Sequence, residues 1–162
     1  MSDSQKEIRG LSLTRPWPFA FVNGPPEIQK RVENRSWLVP AHLRGCYIAL
    51  HAAKSWDEGD REIISDALGI DVPAKAESAH TQIFAVCQIN ICAQPNDSRI
   101  RLPQRRWVMG PYVWICENFV KLIEPVICTG AQGLWTFDQK QDELKHLRKA
   151  YREAKLKQDA DK

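Results

Sequence analysis

No CxxC pair occurs in the sequence, and its five cysteines (46, 87, 92, 116 and 128) are odd in number. That argues against a disulfide framework and for reduced, mostly buried thiols. The four histidines, at 42, 51, 80 and 146, do not combine with the cysteines into a zinc spacing, so no metal site is expected. No apolar run approaches the length that spans a bilayer, which leaves no place for a membrane partner. The first ten residues, MSDSQKEIRG, are polar and lack an apolar h-region, so the expectation is a cytoplasmic protein. Walker loop, GxSxG elbow, HExxH helix and dinucleotide fingerprint are all missing, and no cofactor is expected. Charge of one sign is also scarce: the net charge is only +3, so local clustering matters more than the total.

What the chain does have is an ordinary globular balance, 43% apolar and 27% charged residues over 162 positions. That length suits one domain able to bury a core without staples. Its six tryptophans are many for this size. Indoles fill cores, but they also serve as flat stacking surfaces. Strands are expected over EIRGLSL (7–13), through KRVENRSWL (30–38), at 45–54 and at 81–93, the last long, apolar on both faces for much of its length and so central. GPYVWICENFVKLIEPVIC predicts strands broken near Asn118 and at Pro125. Helices are expected at 16–23, with Pro16 at its start and Gly24 at its end, and over SWDEGDREIISDALG, capped by Ser55 or Asp57, with Ile63, Ile64, Ala67 and Leu68 as its apolar face. A last helix opens at Asp138 with Gln141 three residues on, a capping-box spacing. This pattern predicts an α+β domain built on a curled sheet or small barrel.

The stretch KRVENRSW (30–37) carries the chemistry. On a strand, Glu33, Arg35 and Trp37 alternate onto one face. Lys30 can offer a cation to a phosphate, and Arg35 can fork to a phosphate or a base edge. Glu33 can accept from exocyclic amines, or pair with Arg35 and hold it straight. Trp17 and Trp37 could sandwich a base, worth about 1–3 kcal/mol. A plain cross-face ion pair with two core tryptophans explains the same residues structurally.

LSLTRPWP (11–18), ENRSW (33–37), RGCYIALHAAK (44–54) and GPYVWICENFVKLIEPVICTGAQGLWTF (110–137) fall in the order seen in ASCH domains. Over roughly residues 8–137 the chain resembles that family, which belongs to the PUA-like superfamily of RNA-associated folds and has YTH and EVE domains as relatives. Lys30, Glu33 and Arg35 match the K-x-x-E-x-R part of the family signature. Gly24 lies six residues before the lysine, and the usual QPW reads RPW here, Arg15 to Trp17. The resemblance implies a PUA-like small β-barrel with flanking helices and a C-terminal helix. The implied boundaries are a flexible N-terminus at 1–7, the domain at 8–137, a packed helix at 138–157 and a disordered tail at 158–162. It implies RNA or nucleic-acid binding in a cleft beside the signature; the expectation is a monomer that takes RNA, single-stranded nucleic acid or a nucleotide there, recognising a modified or flipped-out nucleotide. Some similar proteins are hydrolases, so the alternative is a small metal-independent ribonuclease or amidohydrolase with Lys30 and Glu33 as catalytic pair. The amidohydrolase type carries K-x-x-T, and Glu33 stands where its threonine would be; glutamate suits acid/base work rather than nucleophilic attack.

Further candidates flank this motif. His51, with Lys54 and Ser55, can reach the cleft as a proton shuttle or serve as a hydrogen-bonded structural residue. Arg99, Arg105 and Arg106, with Arg101 and Trp107, read either as a phosphate-contacting flap or as a solvated loop. Glu117 would give a second carboxylate if it lay near Glu33. Trp56 and Trp135 are expected in the core.

Overall fold

The computed structural model describes residues 7–162. Six strands form one mixed sheet: β1 (Ile8–Arg15), β2 (Val32–Arg35), β3 (Tyr47–Trp56), β4 (Gln82–Ala93), β5 (Tyr112–Ile127) and β6 (Leu134–Trp135). Their order is β2-β5-β4-β3-β1-β6; β1 and β3 run parallel, and every other neighbouring pair is antiparallel. Three α-helices join them: α1 (Trp17–Val22), α2 (Glu58–Leu68) and α3 (Gln141–Ala160). The expected α+β class is observed.

The sheet bends back on itself. β2 and β1 stand four strand intervals apart in the ladder, about 19 Å if the sheet were flat. Yet Arg35, on β2, donates from Nη2 to the Ser12 carbonyl on β1 at 3.2 Å. A side chain bridges that gap only because the sheet curls. The backbone ladder itself does not close: β2 and β6 are its two edges, and no pairing joins them among the described residues. The curl is present, but a closed barrel is not.

Alternation explains why the curl has two packed faces. Ile48, Leu50 and Ala52 of β3 join a core with Leu11, Leu13, Phe21, Cys87 and Trp114. Tyr47 and Ala49, on the other face, pack with Val120, Trp135, Phe137 and Leu147, the last from α3. A third cluster (Ala20, Val32, Ile64, Leu68 and Trp107) seals α1 and α2 against the ends of the sheet.

Several local expectations shift. α2 is capped by Asp57, which accepts from the Gly59 amide, and ends at Gly69 with φ of +70°. Of its expected apolar face, Ile64 and Leu68 are buried, whereas Ile63 is exposed. β5 is one strand, not two. Asn118 adopts φ of +50° at a register shift, where the pairing with β4 passes from Glu117 to Val120, and its side-chain amide donates to Gln88 Oε1. Pro125 is tolerated because it lies in a register shift between Lys121 and Val126, where β5 has no ladder pair with β4, and β2 covers only residues 112–115. α3 begins at Gln141 rather than Asp138, because no side chain caps it; Gln141 instead donates back to the Phe137 carbonyl. It runs on through Ala160, so residues 158–160 are helix rather than tail, with Gln158 donating to the Phe119 carbonyl. The expected N-terminal flexible segment, 1–7, lies outside the described residues except for Glu7. Trp135 is core as expected, but Trp56 is half-buried at a strand end, donating to Glu58.

Gly10 marks the tightest approach in the sheet. A Cβ there would stand 2.2 Å from the buried indole of Trp135. Gly10→Ala is therefore expected to destabilise the fold by about 1–3 kcal/mol through overpacking. A urea denaturation midpoint at or above that of the parent protein would contradict this.

Candidate functional site

Lys30 leaves the loop before β2 and turns inward. It is 1% exposed, and its ammonium donates to the Val32 carbonyl and to Glu33 Oε1 at 3.1 Å. Aromatic faces close around it, with Phe21 and Trp17 centroids at 4.8 and 5.4 Å. Those rings attract a cation that cannot reach water. Glu33 presents its other oxygen to Arg35, which donates from Nη2 at 2.8 Å and Nε at 3.2 Å. One carboxylate thus holds two cations, and the second cation crosses to β1. Arg35 Nη1 makes no contact among the described residues and is the donor left for a ligand.

This triad forms one wall of a hollow of about 360 Å³, a size within the range of small-molecule pockets. Trp17 forms another wall. Its ring sits edge-on to Trp107 with centroids 6.4 Å apart, and its indole N–H donates to Asp60 Oδ2 at 2.7 Å. Asn34 shapes the rim: its amide donates to the Trp107 carbonyl, while its oxygen accepts from the amides of Met109 and Gly110. The lining holds three carboxylates (Glu33, Asp57 and Asp60) against two cations, Lys30 and Arg35. Such a hollow repels phosphate and favours a neutral group with hydrogen-bond donors of its own. The expected presentation of Lys30 to a phosphate is therefore corrected: its amine is buried and spent on the protein.

Trp37 does not face Trp17 across this hollow. It packs edge-on against Trp114 at 4.7 Å and lines a second, larger hollow of about 680 Å³, shared with Lys54, His51 and Ser55. Ser12, Thr14 and Arg35 line both spaces, so the Arg35 side chain is their partition. The expected sandwich of one base by both tryptophans does not form.

His51 is structural in its immediate contacts. It is 3% exposed, with Nε2 at 2.7 Å from the Cys128 carbonyl and Nδ1 at 3.0 Å from Ser12 Oγ. The carbonyl can only accept, so Nε2 carries the proton and Nδ1 accepts from the serine. Trp135 Nε1 also donates to that serine oxygen, at 3.2 Å. Burial pushes the imidazole below its ordinary value of 6.5, and this favours the neutral ring.

Three of the other candidate arginines, Arg15, Arg105 and Arg106, are clamps on backbone carbonyls. Arg15, expected at the nucleic-acid surface, is 3% exposed and donates to the carbonyls of Ala53, Lys54, Lys75 and Ser78. Arg105 donates to the carbonyls of Pro95 and Asp97, and Arg106 to those of Pro103 and Ala67. Arg99 forks onto Asp97, whose carboxyl it holds down at about 2. The 94–107 segment is thus braced by its own guanidiniums, with Gln104 and Trp107 buried beneath it. It is not a flap with free cations at 99, 105 and 106. Glu117 faces a third hollow with Arg31 and Gln104, so it forms no carboxylate pair with Glu33.

Sequence reasoning missed Ser12, Asp60, Asn34 and the 129–133 loop as parts of the site. Asp60 carries no local signal, being one of several acids in the first turn of a helix. TGAQG carries two glycines in five residues, and Gly130 has a packing reason: a Cβ there would stand 2.3 Å from Ser12 Oγ. No family profile matches the chain, and no curated protein matches it.

Two outcomes follow from this geometry. Glu33→Ala strands a buried ammonium and is expected to cost about 3–5 kcal/mol, against about 1 kcal/mol for Arg35→Ala at the half-open end; equal losses in urea unfolding would refute the buried linchpin. The pH dependence of His51 has a definite sign. The unfolded ring takes up its proton near 6.5, whereas the folded ring resists until a lower pH. Stability is therefore greatest above 6.5 and falls as pH drops through the window below it. His51→Gln should flatten unfolding free energy between pH 7.5 and 5.5, and an unchanged slope would contradict the assignment.

Proposed function

We propose that the protein is a nucleic-acid-binding module of the ASCH and PUA-like kind, the curled sheet standing in for that superfamily's barrel. It takes one flipped-out or modified base of RNA or another single strand into the hollow beside Lys30, Glu33 and Arg35. The supporting observation is the composition of that hollow: an indole wall, acceptor-rich carboxylates and one free guanidinium arm, held rigid by bonds that leave no rotamer freedom to lose on binding. Carboxylates accept from exocyclic amines and ring N–H groups, and Arg35 Nη1 donates to a ring nitrogen or carbonyl. A base extruded from a strand presents these groups on its Watson–Crick edge.

The hydrolytic alternative has less support. Lys30 and Glu33 do line the hollow, but the ammonium is bound to Val32 and Glu33, and each Glu33 oxygen already accepts from a cation. A general base needs an oxygen within hydrogen-bond reach of the proton it removes.

The test is fluorescence anisotropy of labelled short single-stranded RNA and DNA oligonucleotides, with modified nucleosides as competitors. Trp17→Ala should weaken binding by about 5- to 100-fold, consistent with about 1–3 kcal/mol of stacking per base. Charge reversal at the braced Arg105 and Arg106 should leave the slope of log affinity against log salt unaltered. Turnover of an RNA pool that disappears in both Lys30→Met and Glu33→Gln, with the folded state intact, would replace this reading with the enzymatic one.

A further inference from the structure

The second hollow differs from the first in sign. It is lined by Arg35 and Lys54, by the hydroxyls of Ser12, Thr14, Ser55 and Thr129, and by no carboxylate. Lys54 is exposed at the end of β3 and its ammonium has no partner among the described residues. Opposite it runs the exposed 129–133 loop, TGAQG. The amides of Thr129, Gly130, Ala131 and Gln132 are donated to no acceptor among the described residues. Amides without acceptors in a glycine-bearing loop, beside a cation, are donors that an oxyanion can take.

The loop is held in place from below. Cys128, at its start, donates its amide to the Thr81 carbonyl, and its own carbonyl accepts from His51. Gly130 then lies directly over Ser12 and His51, where no other residue fits. This is the preorganisation an anion site needs, since amides fixed before binding cost no ordering when the ligand arrives.

Building on the base-binding reading above, we propose that this second hollow is the phosphate compartment of the same site. The ligand is a nucleotide unit that straddles Arg35, with its base in the carboxylate-lined hollow and its phosphate between Lys54 and the 129–132 amides. The division of charge makes the site directional. A phosphate is repelled from the first hollow by Asp57 and Asp60, and an amine-bearing base gains nothing from the acid-free second hollow. Arg35, held on Glu33 and on the Ser12 carbonyl, keeps Nη1 at the junction, where the sugar-phosphate must pass.

The full chain, isotopically labelled, is titrated by NMR with inorganic phosphate, with the four common nucleosides and with their 5′- and 3′-monophosphates. Inorganic phosphate should shift the amides of 129–132, and the monophosphates should bind at least about tenfold more tightly than the matching nucleosides. Lys54→Ala and Ala131→Glu, both at exposed positions, should abolish that advantage and leave the nucleoside shifts around Trp17 unchanged. Nucleosides and monophosphates of equal affinity, or an affinity indifferent to both substitutions, would overturn the phosphate compartment while leaving the base hollow standing. Phosphate shifts at 129–132 with no nucleoside response at Trp17 would support the compartment and remove the base reading on which the straddling geometry rests. Phosphate that shifts no amide in the loop, while the nucleosides respond at Trp17, would overturn the compartment outright.

Discussion

A single carboxylate organises the open side of this molecule. Glu33 lies on the short edge strand β2, accepts from a fully buried ammonium on one oxygen and steers a guanidinium with the other. That guanidinium reaches the backbone of β1, the strand that the curl brings opposite. The ladder stays open there, so a side-chain bridge replaces the backbone pairs that a closed barrel would have supplied. Each member needs the others: Lys30 is affordable at 1% exposure only because Glu33 and two aromatic faces offset its lost hydration. The same bridge divides the gap between the strands into two hollows.

Charge is distributed by role rather than by count. Of the arginines that make the chain basic, Arg15, Arg105 and Arg106 are spent on backbone carbonyls and Arg31 lies flat on Phe119, 3.7 Å from its centroid. Each satisfies carbonyls left over in loops and near the ends of strands and helices, the accounting that buried backbone demands. Within the two hollows, what remains for a ligand among the described residues is one arm of Arg35, the ammonium of Lys54 and a loop of amides without acceptors. A modest net charge therefore says little about where the free cations sit; that depends on which guanidiniums the fold consumes.

Much of the fold was legible before any coordinates. Alternation in 45–54 located β3 and its two faces, and doubly apolar 81–93 located the central strand. Asp57 and Gly69 marked the ends of α2 because capping is a local hydrogen-bonding requirement. The expected breaks near Asn118 and at Pro125 fall where the register of β5 against β4 shifts, but the strand runs on through both, because the flanking pairs hold it in the sheet. At Asp138 the local rule fails outright, since Gln141 binds backward and no side chain caps the helix. In the site, Lys30, Glu33 and Arg35 stood out as a motif, whereas Asp60 and the TGAQG amides did not, since nothing near them in the chain hints at what they face.

The order of residues alone determined which segments could be strands or helices and that one short strand would carry lysine, glutamate and arginine at fixed spacing, because these depend on backbone sterics and on periods of two and 3.6 residues. Only the tertiary structure decided what those charges do. Whether a cation is a ligand's partner or a clamp depends on solvation and on which carbonyls lie within three ångströms, and those distances are set by how the sheet curls, not by neighbours in the chain.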